Sequence, residues 1–65
     1  MTIFQQRLKE LRKKQGRSQR TVSELSGLNS CAVYRYEAGI STPDMESLKK
    51  LADYFEVTID YLVGR

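Results

Sequence analysis

The stretch SQRTVSELSGLNSCAVYRYEAG (residues 18–39) constrains this chain more than any other part of it. Ser18 and Asn29 each stand at the head of a short segment, where a side-chain oxygen can accept from the free N–H groups of a helical first turn. Gly27 lies between the segments, where a helix must stop and the backbone favours positive φ. Ser23 is small at the place where two crossing helices would touch most closely. Val22, Leu28, Val33 and Tyr36 supply apolar positions that hold the pair at a fixed angle. The spacing predicts two helices, 18–26 and 29–38, joined by a tight turn, the first bracing and the second presented outward. The second carries little bulk: Val33 and Tyr36 turn inward at i, i+3, leaving Ser30, Cys31, Tyr34 and Arg35 outside. Small and hydrogen-bonding side chains on that face suit close approach to another molecule, and Gly39 ends the helix.

The flanking segments read as further helices. Over residues 2–15, Phe4, Leu8 and Leu11 fall at i, i+4 and i+7 with Ile3 beside them, leaving Gln5, Gln6, Lys9, Lys13 and Lys14 to water. Gly16 closes this helix, with basic residues near its C-terminus complementing the dipole. After a short loop at 40–43, Asp44 is placed to cap a fourth helix that runs to about Tyr54, and Glu46 suits its first turn. Met45, Leu48, Leu51, Ala52 and Phe55 trace its buried stripe. Glu56 and Val57 break the pattern. Thr58 then caps a last short helix containing Ile59, Leu62 and Val63. Alternating strand patterns are missing, so the expectation is a single all-α domain, residues 1–65, of five helices without repeats or linkers.

A chain of 65 residues buries only about 60% of its unfolded surface, so the core must be small. It holds one cysteine and no histidine, which leaves little material for zinc sites, disulfides or histidine-dependent catalysis. No catalytic carboxylate pair and no phosphate-cradling glycine loop is visible, so neither an enzyme, a metal nor a cofactor is expected. No run approaches a membrane span and no signal peptide is seen, which favours the cytoplasm. The net charge of +3 is uneven: residues 1–20 carry seven basic side chains against Glu10 alone, a balance of +6. That pole suits a polyanion, although a solvated lysine-rich helix explains it as well.

Taken together, RLKELRKKQG (7–16), SQ (18–19), SGLNS (26–30), YRYEAG (34–39), TPD (42–44) and LADYFEVTIDYLVGR (51–65) resemble the phage-repressor and Cro-type helix-turn-helix domains, the XRE family. The order and spacing of these pieces cover almost the whole chain. The resemblance implies a five-helix, lambda-repressor-like DNA-binding domain whose second and third helices form the helix-turn-helix. Members bind operator DNA, commonly as dimers, and mostly regulate transcription.

Roles follow from the resemblance position by position. Base-edge contacts fall to Asn29, Ser30, Cys31, Tyr34 and Arg35. Arg35 is the most informative of them, since a guanidinium can pair bidentately with guanine O6 and N7. Without the resemblance it is a solvated surface arginine. Cys31 suits a thymine methyl or, alternatively, a redox switch. Gln19 matches the glutamine that contacts a phosphate and steadies its neighbours. Ser18, Arg17, Arg20, Ser41 and Thr42 are further phosphate candidates, while Ala38 and Ile40 replace the asparagine and lysine often found in relatives. Arg12 and Glu37 match a pair that joins the first helix to the end of the recognition helix; the alternative is two unrelated surface charges.

The resulting expectation is a sequence-specific, double-stranded-DNA-binding transcriptional regulator, a repressor that reads the major groove with residues 29–38. An antitoxin or restriction–modification controller uses the same module. A protein-interaction adaptor that has lost DNA contact is favoured only by Ala38 and Ile40. The expected partners are an operator and a second copy of the chain, with residues 57–65 the dimer contact, though the same apolar residues would equally seal the core. The expected location is the cytoplasm, on the nucleoid. With the chain ending at Arg65, no ligand-sensing domain is expected beyond it.

Overall fold

All helices but the third begin at a side-chain cap supplied by the residue just before them. The computed structural model describes residues 2–65. α1 (Ile3–Gln15), α2 (Gln19–Leu25), α3 (Ala32–Ala38), α4 (Met45–Phe55) and α5 (Ile59–Val63) follow in order, and no strand occurs among the described residues. Thr2 caps α1 rather than joining it. Its hydroxyl accepts from the Gln5 N–H and the Gln5 side chain accepts from the Thr2 N–H, so Gln5 closes a capping box instead of facing water. Ser18, Asp44 and Thr58 each accept from the N–H three residues on, at 3.1, 2.8 and 3.0 Å. Gly27 and Gly39 take left-handed φ of 80° and 77° and turn the chain off α2 and α3. Glu56 adopts the same region, φ 57°, at the end of α4 without a glycine's freedom.

Leu8, Val22, Val33, Leu51, Ala52 and Leu62 form the core, one or two from each helix, with Phe4, Leu11, Leu28, Tyr36 and Phe55 packed around them. The ring of Phe4 meets Tyr36 edge-on at 6.0 Å, fastening α1 to α3. α3 packs on α2 and α1, and α5 on α1 and α4. Two expected stripe residues lie outside this core. Met45 is exposed because it is the first residue of α4, one turn ahead of Leu48, where the stripe meets its neighbours. Ile3, at the start of α1, is about half exposed for the same reason, 48%. Leu62 is wholly buried, so at that position residues 57–65 seal the core. Arg7 fastens α1 to α5, its guanidinium 4.3 Å over the Tyr61 ring and donating to the Tyr61 carbonyl.

Candidate nucleic-acid interface

The chain between α2 and α3 is a turn before it is a helix. Asn29 Oδ1 accepts from the Cys31 N–H at 3.0 Å, and the Ala32 N–H donates to the Asn29 carbonyl at 3.0 Å. A side chain that bonds two residues on competes with helix formation. Asn29 therefore shapes a turn and does not cap the helix, and α3 starts at Ala32, three residues later than expected. Asn29 and Cys31 are exposed in that turn and Ser30 is half-buried. Tyr34 and Arg35 follow on the exposed side of α3, and the Arg35 guanidinium makes no ion pair or hydrogen bond among the described residues. Arg35 is instead held through its backbone: its carbonyl accepts from the N–H groups of Gly39, Ile40 and Ser41.

The inner side of α3 is fixed by a compact polar cluster. Arg12 donates to Glu37 through both Nε, 2.7 Å to Oε2, and Nη2, 3.0 Å to Oε1. The Glu37 side chain is only 6% exposed and that of Arg12 14%. Glu37 hydrogen bonding raises the Arg12 pKa further above its ordinary value, against the opposing effect of burial. Gln19 donates its amide to Glu37 Oε1 at 3.1 Å, so it is half-buried in this cluster rather than simply exposed. One of its two N–H donors remains for another partner. Arg12 also reaches the Arg17 carbonyl at 3.0 Å, tying the α1–α2 connection to the same cluster.

Lys9, Arg12, Ser18, Gln19, Tyr34, Glu37 and Ala38 line one shallow concave surface between α1, the head of α2 and α3. Since Arg12 and Glu37 neutralise each other, Lys9 supplies the positive charge there. The sequence leaves Lys9 to water, and its place three residues before Arg12, on the same side of α1, is the signal that joins it to this surface. Other phosphate candidates lie elsewhere. Arg17 donates to the Tyr54 hydroxyl at 3.1 Å, which in turn donates to Gln15, so its guanidinium is drawn toward α4. Arg20 pairs with Glu24 one turn along α2, at 3.4 Å and largely in solvent. Ser41 and Thr42 line a different, apolar cleft of about 320 Å³ together with Phe4, Tyr36, Pro43 and Val63. The Ile40 and Ser41 amides are already bonded to the Arg35 carbonyl. Ile40 itself is 58% exposed.

This arrangement is a presented helix, anchored at its inner side and open at its outer one. A helix-turn-helix family model matches residues 8–62 of the chain. The transcriptional regulator AnsR of Bacillus subtilis is 42% identical over 59 residues, covering 91% of this chain and 51% of its own. The transcriptional repressor RstR of the cryptic phage CTXphi, from Vibrio cholerae, is 36% identical over 95% of this chain and 55% of its own. The chain thus spans about half the length of these curated relatives. Among solved structures, the P22 c2 repressor in complex with a synthetic operator superposes with a TM-score of 0.86 over 97% of this chain and 96% of that one, at 24% identity. A transcriptional regulator from Listeria innocua superposes at 0.83 over 95% of this chain and 58% of its own, at 37% identity.

Proposed function

The chain belongs to the helix-turn-helix family of phage-repressor and Cro type, and from that premise we propose that it is a sequence-specific double-stranded-DNA-binding regulator of transcription, acting as a repressor by occluding a promoter. The observation that carries this reading is the outer side of α3: Arg35 unpaired among the described residues and Tyr34 51% exposed, on a helix whose inner side is bound to α1 and α2. Arg35 reads a guanine, and the turn Asn29–Cys31 meets adjoining base edges. Ser18, the free N–H of Gln19 and Lys9 hold the neighbouring phosphates, while Arg17, Arg20, Ser41 and Thr42 track the backbone farther out. In this reading the protein works in the cytoplasm, on the nucleoid, and needs no catalytic step. No helix among the described residues is long and apolar enough to cross a membrane.

A homodimer is part of the same reading. The longest extent of the domain is 26 Å, shorter than the roughly 34 Å between successive major grooves on one face of the duplex. One chain therefore reads one half-site, and a second copy reads the next. Titrating the protein on duplex DNA at several salt concentrations tests the proposal. Affinity should fall steeply with salt, as phosphate-bound counterions are released, and should differ between duplexes of different sequence. An adaptor that has abandoned DNA would show no such dependence even at low ionic strength.

A further inference from the structure

Ser23 is wholly buried between α2 and α3, and its hydroxyl is used twice. It donates to the Gln19 carbonyl at 2.8 Å within α2 and accepts from the Val33 N–H at 2.9 Å across the helix crossing. Val33 is the second residue of α3, so its N–H is one of those that a helix start leaves without an intrahelical partner. Cys31, at the N-cap position, makes no side-chain cap bond, and the Asn29 oxygen is already committed to the Cys31 N–H. The Val33 N–H at the start of α3 is thus satisfied by a side chain of the neighbouring helix and not by one from its own segment.

Resting on the DNA-binding reading above, we propose that Ser23 is a positioning residue for base readout, setting where α3 begins and hence the pose of Asn29–Cys31 and Arg35, without touching DNA. A helix of seven residues holds its first turn weakly by itself, because nucleation fixes several dihedrals for a single hydrogen bond. Here Gln19 anchors both ends of α3: its carbonyl holds Val33 through Ser23, and its side chain holds Glu37. Losing the upper link leaves a buried donor unpaired while the lower one stays intact. The expected result is a helix that remains in place but with a loosened entry turn.

Ser23→Ala in the full chain tests this, with two readouts. The Val33 amide should exchange with deuterium at least about tenfold faster, and the ratio of affinities for an operator duplex selected from a random pool over a scrambled duplex should fall about tenfold. The salt dependence on the scrambled duplex should not change, because no phosphate contact is lost. A chain synthesised with an ester in place of the Val33 amide removes the donor and leaves Ser23 intact; with no Val33 N–H to exchange it is read by affinity alone, should reproduce the fall in the operator-to-scrambled ratio, and adding Ser23→Ala to it should lower that ratio no further. If Ser23→Ala does not fold, the ester chain decides by the affinity ratio and the salt dependence. Unchanged Val33 exchange, or equal weakening on both duplexes, overturns the positioning role and leaves Ser23 a structural residue. A parent chain with no salt-dependent affinity for any duplex overturns the DNA-binding reading and this role together.

Discussion

Glu37 is a nearly buried carboxylate on the helix proposed to face DNA, and its charge is tolerable only because Arg12 meets it bidentately and Gln19 adds a third donor. Replacing Arg12 by Met strands that carboxylate. The expected loss, between the at most about 1 kcal/mol of a surface pair and the 3–5 of a buried one, is roughly 2 kcal/mol in urea unfolding. Glu37→Gln should be milder, since the more exposed guanidinium can still reach water. A larger loss for Glu37→Gln would contradict this division of roles. Arg35 is the opposite kind of residue, its side chain without an ion pair or hydrogen bond among the described residues, so folding is expected not to depend on it. Arg35→Ala should leave the unfolding midpoint within error and remove about 1–3 kcal/mol of discrimination at a single base pair, read by binding to a set of singly altered operators. Uniform weakening across that set would count against base readout by this side chain.

At the scale of elements, what was legible in the sequence was what is local. Ser18, Asp44 and Thr58 cap as their positions suggest, because an N-cap involves residues only three apart. Asn29 has the same chemistry, yet it turns the chain two residues on, and nothing in the neighbouring sequence distinguishes the two uses. The Ser23–Val33 bond was out of reach for a different reason: it spans ten residues and exists only once α2 and α3 have crossed. Gln19 was legible as important through the family likeness, but its half-buried place against Glu37 depends on the packing. Two elements carry predictions of their own. The Asp44 carboxylate is held below the usual carboxylate range, first by the Ser47 backbone N–H that it caps. Its unfolded pKa of about 3.9 lies above its folded one, so its contribution is complete above that pH and lost as pH falls through the folded value. The melting temperature of the parent should therefore drop relative to Asp44→Asn between about pH 5 and 2; parallel curves would contradict it. Glu56, in the left-handed region, should be relieved by Glu56→Gly, stabilising the domain by roughly 0.5–1 kcal/mol. A loss of stability on calorimetry would mean that the side chain contributes more than the strain removes.

For the whole molecule, the +6 balance of residues 1–20 and the helix-turn-helix lie on one small body, its principal extents 26 × 24 × 22 Å. In the proposed reading, positive charge supplies approach and salt dependence, while the outer side of α3 supplies choice. These are separable, so a charge-only binder would hold DNA without preferring any sequence. Selection of bound duplexes from a random pool, run in parallel on the parent and on Arg35→Ala, distinguishes them most directly. The parent is expected to enrich one short half-site, repeated in inverted orientation about one helical turn apart, and Arg35→Ala to lose preference at one guanine of each half. A parent pool that stays random, or an Arg35→Ala pool identical to an enriched parent pool, would contradict sequence reading by α3.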